Sequence, residues 1–166
     1  MPTRLGKFDS TRLVVKKAGF SCCKADRKNC VLCEFSGPAE DRKMLLTKVK
    51  IQHSGLIIPI LQTITCRDTY CQHLLSCKKP GCLKQYWGCT TRPLYKRFLE
   101  HLSDTQDPNT NCPVGLHWQL PGHTIGHLEF LGVEKVGTRI WPVLRARKRE
   151  KINVTGLVSA GVNRSI

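Results

Sequence analysis

Two cysteines and two histidines in the second half of the chain have types and spacings that suit a metal ion. Four residues separate Cys77 from Cys82, and five separate His117 from His123. Two thiolates and two imidazoles make a closed tetrahedral set, which is typical of structural zinc. The spacings lie at the loose end of the zinc-finger range, and the alternative is a hairpin with two incidental thiols and two solvent-exposed histidines. We predict a structural Zn²⁺ ion at these four residues.

A second group of cysteines lies near the N-terminus. It contains the adjacent pair Cys22 and Cys23, followed by Cys30 and Cys33 in a C-x-x-C pair. A C-x-x-C pair is common by itself, and only these thiols are local in sequence. Cys66 could supply a missing ligand from further along the chain. We predict a second metal site here, with its ligand set open.

The cysteine content also bears on the compartment in which the protein works. The 166 residues include ten cysteines. A disulfide framework would need a secretory signal, and the first 20 residues contain no apolar stretch of the needed length. The most apolar run, GLIIPIL, is far shorter than the about 20 residues that span a bilayer. We therefore expect an intracellular, nuclear protein with no membrane partner. A secreted disulfide-rich protein is the alternative, which a count of free thiols would distinguish.

The charge of the chain indicates a polyanionic partner. The net charge is +15, from 27 Lys and Arg against 12 Asp and Glu. Nucleic acid is the commonest partner of such an excess, and we expect DNA. The densest run has five cations in seven residues: Arg145, Arg147, Lys148, Arg149 and Lys151. A nuclear localisation signal and a solvated helix are alternative interpretations of this run.

The hairpin that would position the two later cysteines is marked by its turn. TYCQHLLSC predicts a strand that ends at Cys77, and LKQYWG predicts the strand that returns. Between them, Pro80-Gly81 favours a type II turn, in which glycine takes the positive φ. Cys77 and Cys82 should therefore face each other across the hairpin.

A helix is predicted directly after the hairpin. In TTRPLYKRFLEHL, Leu94, Phe98 and Leu102 recur every four residues and form one apolar face. Arg97 and His101 have the same spacing, so they should lie one above the other at the border of that face. Residues 127–136 then predict a third strand, and WPVLRARKREKIN predicts a second helix.

These elements together predict an α+β fold. We expect a small three-stranded antiparallel sheet flanked by helices and stapled by zinc. Residues 1–62 would form a cysteine-rich N-terminal appendage, and residues 63–166 the main domain. The hydrophobic content of 40% allows a modest core, to which a bound metal would add stability.

The main domain resembles the GIY-YIG endonuclease superfamily, and most of all the nuclease domain of Penelope-like retroelements. The resemblance covers about 100 residues continuously, and the Cys22–Cys33 region resembles the cysteine-rich linker that precedes the nuclease in that family. Its motifs are the hairpin cysteines Cys77 and Cys82, KQYWG, TTRPL, Glu100-His101, Pro113-Val114, His117, Pro121-Gly122-His123, GVEKV and Gly161-Val162-Asn163.

The resemblance implies hydrolysis of a DNA phosphodiester, assisted by Mg²⁺ or Mn²⁺. In the family, two tyrosines, a helix arginine, a nearby histidine and a glutamate line one surface. Here Tyr86, Arg97 and His101 match three of these positions. Such groups suit the reaction: a phenol or imidazole can accept a proton, an arginine can bind phosphate, and a carboxylate can hold the metal.

Two family positions differ in this sequence. The family's first tyrosine aligns with His73, which could still act as a base. Its glutamate aligns with Arg147, and a cation there would repel a divalent metal. Glu150, about one helical turn further on, could replace the glutamate only if the alignment slips by three residues.

Two hypotheses of function follow from these differences. In the first, the chain is an endonuclease that uses His73, Tyr86, Arg97, His101 and Glu150. In the second, it is a zinc-stabilised relative that binds nucleic acid without cutting it, and the loss of the metal-binding carboxylate favours this one.

Overall fold

The computed structural model describes residues 18–21, 23, 30–36, 45–137 and 140–159 of the chain. Within these residues there are eight strands, four α-helices and one 3-10 turn at Ile125–His127. The strands are β1 (Gly19–Ser21), β2 (Lys48–Lys50), β3 (Ile57–Pro59), β4 (Thr63–Thr65), β5 (Cys71–Cys77), β6 (Gln85–Thr90), β7 (Leu128–Lys135) and β8 (Val158–Ser159). The helices are α1 (Val31–Glu34), α2 (Leu94–Gln106), α3 (Pro113–Trp118) and α4 (Trp141–Thr155).

The fold is α+β, as predicted, and its main sheet has the strand order β7-β5-β6-β8. β5 pairs antiparallel with both β6 and β7, which confirms the hairpin and the third strand. The prediction of three strands is wrong by one, because β8 adds a two-residue parallel strand beside β6. A strand this short has no alternation of apolar and polar residues from which it could be predicted.

The main sheet is covered on both faces. Every residue of β5 and β6 is buried, which means that other parts of the protein cover both faces of these two strands. Successive side chains of a strand point to opposite faces. One face, which we call the α2 face, carries His73 and Leu75; His73 contacts His101 of α2. The other, the α4 face, carries Gln72 and Leu74; the Gln72 side chain donates a hydrogen bond to the Leu144 carbonyl of α4.

The described part of residues 1–62 packs onto the same core. β1 pairs parallel with β4, and β2 pairs antiparallel with β3. Phe20, Leu32 and Val49 belong to one apolar cluster with Leu74 and Phe130 of the main sheet. The predicted appendage therefore contributes side chains to the core of the predicted main domain.

The helix α2 buries more than its apolar stripe. Leu94 and Phe98 are fully buried, as the four-residue spacing predicts. Arg97 and His101 were expected at the border of that stripe, but they are 5% and 0% exposed. α3 follows a short loop and was not predicted; its first residue is a proline, which suits a helix start because its missing N–H would lack a partner there anyway.

His73 lies at the centre of the α2 face, between two glycines. Its cross-strand neighbours are Gly88 on β6 and Gly132 on β7. A Cβ atom at Gly88 would lie 2.2 Å from the Nε2 atom of His73. The imidazole also stacks on Phe130, with ring centroids 4.6 Å apart. The glycine of the Tyr-Trp-Gly motif is therefore required by the close approach of His73.

Replacing Gly88 with alanine should destabilise the protein, because the new methyl group must displace the His73 ring. Overpacking of this kind costs about 1–3 kcal/mol, which corresponds to a Tm lower by about 5 °C. Thermal unfolding followed by circular dichroism measures the effect. Gly137→Ala is the matched control, since nothing lies within 4 Å of a Cβ at that position. Equal melting temperatures for the two variants would contradict the packing argument.

Candidate metal centres

The four residues predicted to bind zinc converge in the structure. One possible ligand atom from each of Cys77, Cys82, His117 and His123 lies within 4.8 Å of the others. β5 ends at Cys77, and the hairpin turn returns to Cys82 through Gly81, whose φ is +79°. A turn held by the Cys82 N–H and the Lys79 carbonyl completes this half of the cluster. α3 and the turn after it supply the two histidines.

The spacing inside this cluster matches that of a tetrahedral ion. The Sγ atom of Cys82 lies 3.6 Å from the Nε2 atom of His117. Zn–S bonds of about 2.3 Å and Zn–N bonds of about 2.0–2.1 Å at a tetrahedral angle place sulfur and nitrogen about 3.6 Å apart. The distance between these two side chains is therefore compatible with a shared Zn²⁺ ion.

His123 has a nitrogen that is available for a metal. Its Nδ1 atom is 3.3 Å from the Leu120 carbonyl, so an Nδ1–H can donate a hydrogen bond there. Its Nε2 atom is buried and has no hydrogen-bond partner within the described residues. Histidines that bind metal commonly donate their other N–H to a carbonyl in this way. The cluster therefore has both the ligand and the orienting contact that a metal site needs.

Metal binding at this cluster is coupled to the protonation of its ligands. Burial, followed by the nearby His123, lowers the pKa of His117 to about 4, so its imidazole is neutral near pH 7. Burial raises the pKa of Cys77 above its usual value, so this thiol keeps its proton unless a cation is bound. Metal ligands must be deprotonated, and binding is therefore accompanied by proton release.

The N-terminal cysteines form a second cluster, and its members are not the same as the four cysteines that lie close together in the sequence. Cys23, Cys30, Cys33 and Cys66 each place a sulfur within 4.8 Å of the others, while Cys22 lies outside the described residues. The Cys23–Cys33 and Cys30–Cys66 sulfur pairs are each 3.6 Å apart. Sulfurs around a tetrahedral zinc ion would be about 3.8 Å apart. Cys33 forms a disulfide in this structure, and that bond competes with the binding of a metal by its sulfur.

Three of the predicted catalytic residues meet beneath α2. The Nε2 atoms of His73 and His101 are 3.2 Å apart, and both residues are fully buried. Burial, followed by the positive charge of Arg97, holds the pKa of each histidine well below its usual value. Both rings are therefore neutral near pH 7, and one donates a hydrogen bond to the other. The Arg97 guanidinium donates to Glu100 at 2.6 Å.

Tyr86 and Glu150 have different surroundings from these three. Tyr86 packs against the rings of His117 and Trp118, next to the predicted zinc site. Burial and the nearby thiols raise the pKa of Tyr86 to about 12. The Glu150 side chain is 57% exposed and pairs with Arg147 along α4 at 3.1 Å. The structure does not bring Glu150 to the buried histidines, so the catalytic set proposed from sequence is not assembled.

A third cluster was not predicted. His101, Asp104 and Cys112 place possible ligand atoms within 4.8 Å of one another. The sequence contains a partial signal, since His101 and Asp104 are three apart on one helix and therefore neighbours on its surface. Cys112 is the residue before α3, and its role could not be predicted because α3 itself was not.

Two basic surfaces lie on the α4 face. The predicted cationic run lies on α4, where Arg145, Arg147 and Arg149 are exposed and Lys148 and Lys151 are half-buried. A groove of about 460 Å³ was not predicted; it lies beside β2 and the hairpin turn, and four lysines line it: Lys48, Lys50, Lys78 and Lys79. Leu74 and Ser76 of the α4 face form part of its floor. We call this groove the lysine groove.

Comparison of the chain with protein-family models, with curated proteins and with solved structures found no match. Among the described residues, no helix has both the length and the apolar character needed to cross a membrane.

Changing Cys82 to serine should remove one zinc ion per chain, because a closed site that loses a thiolate loses most of its affinity. Loss of about 3 kcal/mol would lower the Tm by about 10 °C. Elemental analysis and thermal unfolding measure the two effects. Cys89→Ser is the control, since this buried thiol belongs to none of the three clusters found among the described residues. Zinc-free wild-type protein, or equal zinc in both variants, would contradict the assignment.

Proposed function

We propose that the protein is a zinc-stabilised nucleic-acid-binding module that binds the DNA backbone without cutting it. The observation that carries the proposal is the presence of two basic surfaces on one face of the sheet. The net charge of +15 supports it, because a large excess of cations attracts a polyanion over long range. The resemblance to GIY-YIG nucleases of Penelope-like retroelements supplies the proposed ancestry.

The lysine groove has the chemistry of a phosphate-binding surface. Lys48 and Lys50 are exposed on β2 and point the same way, since they are two residues apart on a strand. Lys78 pairs with Glu129 at 3.0 Å, and Lys79 donates a hydrogen bond to the Pro121 carbonyl. The residues that line the groove include no aromatic ring. Base stacking is therefore not available there, and we expect contacts to phosphates that do not read sequence.

Fewer cations of α4 are available for contact with a nucleic acid than the sequence of the helix indicates. Arg147 pairs with Glu150, and Lys151 pairs with Glu134 at 3.8 Å. Burial lowers the pKa of Lys148, whose side chain turns toward the sheet. Arg145 and Arg149 are exposed, lie one turn apart, and form no ion pair within the described part of the chain. These two arginines are the strongest candidates for contact with a nucleic-acid backbone.

The buried histidines argue against hydrolysis. A general base works best when its pKa lies near the working pH, and burial holds the pKa of His73 and His101 well below the usual value. Tyr86, with a pKa of about 12, is also a poor base near pH 7. The position aligned with the family's metal-binding glutamate holds Arg147, and Glu150 pairs with that arginine on an exposed part of α4.

A working endonuclease is the second candidate function. It is favoured by the contact between His73 and His101 beside Arg97, which keeps three family positions together. For this function α2 would have to move, because Arg97 is only 5% exposed. Mg²⁺ or Mn²⁺ would also need a carboxylate, and Glu150 is the one acidic residue of α4.

Affinity for duplex DNA should fall steeply with salt concentration, because bound phosphates release counterions. Replacing Lys48 and Lys50 together with glutamine, or Arg145 and Arg149 together, should each reduce the slope of log K against log salt by about 2. Fluorescence anisotropy over a salt series with two unrelated duplex sequences measures this slope and its dependence on sequence.

The matched control removes two exposed cations that lie outside both surfaces, Arg67 and Lys96, by the same change to glutamine. It alters the net charge equally and should leave the slope nearly unchanged. A slope that does not depend on which pair is removed would mean that only the net charge matters. A flat salt response of the wild-type protein would reject nucleic-acid binding through these surfaces.

Supercoiled plasmid should remain intact when incubated with the protein and Mg²⁺ or Mn²⁺. The expected product is a shifted complex without nicked or linear DNA, measured on gels run before and after proteinase treatment. Arg97→Ala is the companion variant. Nicking by the wild type that disappears in Arg97→Ala would establish the endonuclease function instead, and Glu150→Ala would then test whether the carboxylate on α4 is its metal ligand.

A further inference from the structure

We propose that His101, Asp104 and Cys112 form a third metal site, which binds Zn²⁺ or a similar divalent transition ion with three protein ligands. The fourth coordination position would be open to solvent. This site is separate from the predicted structural zinc centre and does not depend on nucleic-acid binding.

The geometry of α2 and α3 brings the three side chains together. His101 and Asp104 are three residues apart on α2, and their Nδ1 and Oδ2 atoms are 4.0 Å apart. Ligand nitrogen and oxygen around a tetrahedral ion would be about 3.4 Å apart. The Asp104 side chain is 29% exposed, so it can rotate to close that gap. Possible ligand atoms of Asp104, Cys112 and His101 all lie within 4.8 Å of one another, which places the three side chains around one point.

A buried nitrogen independently indicates a ligand at this point. The Nδ1 atom of His101 is buried without a hydrogen-bond partner among the described residues, and the residue is 0% exposed. A buried polar atom that is left without a partner destabilises the folded state. A metal bound to the lone pair of Nδ1 would remove that cost.

A metal on Nδ1 also accounts for the contact between the two buried histidines. With its Nδ1 lone pair on the metal, His101 carries its proton on Nε2 and donates it to Nε2 of His73, 3.2 Å away. Histidine ligands are commonly oriented by such a hydrogen bond from their second nitrogen. His73 is then a positioning residue for the site.

The thiol of Cys112 is held in place by its neighbours. The backbone N–H groups of Gly115 and Val114 lie beside its sulfur. A Cβ atom at Gly115 would lie 2.4 Å from the Asp104 carbonyl oxygen, so glycine allows α3 to lie this close to α2. The backbone therefore fixes the distance between the thiol and the two ligands on α2.

The ligand chemistry selects the class of metal. A thiolate, an imidazole and a carboxylate suit Zn²⁺ and Co²⁺, whereas Mg²⁺ prefers oxygen ligands alone. Three protein ligands with an exposed side are typical of zinc sites that keep a water molecule or another exchangeable ligand. The expected fourth ligand is water, or a small anion that replaces it.

The test measures bound zinc in the full chain after dialysis against zinc in excess over the protein. Asp104→Ala and Cys112→Ser should each hold one ion fewer than the wild type, and Cys89→Ser should hold the wild-type number. Asp104→Ala combined with Cys82→Ser should hold two fewer, because the two sites are independent. Thermal unfolding of each variant confirms that it is folded; Asp104 is partly exposed, so its variant serves if Cys112→Ser does not fold.

A second readout reports the ligands directly. After Co²⁺ substitution, Cys112→Ser should reduce the thiolate-to-metal charge-transfer absorption, while Cys89→Ser should leave it unchanged. Zinc content and cobalt absorption in Asp104→Ala equal to those of the wild type would overturn the proposal. Loss of zinc from Cys82→Ser alone would then still support the structural centre.

Discussion

The rest of the structure depends on one contact, in which the tip of the β5–β6 hairpin meets the segment formed by α3 and the turn after it. Cys77 and Cys82 come from the hairpin, and His117 and His123 come from the other segment, 35 or more residues further along the chain. Without a shared ion, this contact contains the Cys77 thiol, which keeps its proton, and the buried Nε2 atom of His123, which has no partner in the described part of the chain. An ion turns the same contact into four bonds. Because Tyr86 packs on His117, a bound ion would also constrain the packing of β6.

The packing around His73 has a functional consequence. Two glycines leave room for its ring, and α2 then covers it with His101, so His73 lies in the core. Under the proposed ancestry, the groups that hydrolysis would need are therefore enclosed. Binding of a nucleic-acid backbone would need fewer groups than hydrolysis, because exposed cations at fixed positions are sufficient. The α4 face carries such cations on two separate elements.

The sequence predicted the parts that carry strong local signals. The hairpin was marked by Pro80-Gly81, α2 by a four-residue apolar spacing, and the zinc cluster by ligand types that have few other uses in this pattern. β1, β4 and β8 could not be predicted, because strands of two or three residues show no periodicity and their parallel pairing joins distant segments. The lysine groove could not be predicted either, because β2 and the hairpin turn come together only in the folded chain. The sequence indicates Cys66 as a possible ligand, but its proximity to Cys23 and Cys30 depends on the packing of segments that are distant in sequence.

The central claim is that the hairpin and the α3 segment share one tetrahedral zinc ion. X-ray absorption at the zinc edge tests it most directly, using protein with Cys23→Ser and Cys112→Ser so that the other two clusters each lack a ligand. The account predicts equal numbers of sulfur neighbours at about 2.3 Å and nitrogen neighbours at about 2.0–2.1 Å, with the scattering pattern of imidazole. A shell of oxygen alone, or protein that holds no zinc, would contradict it.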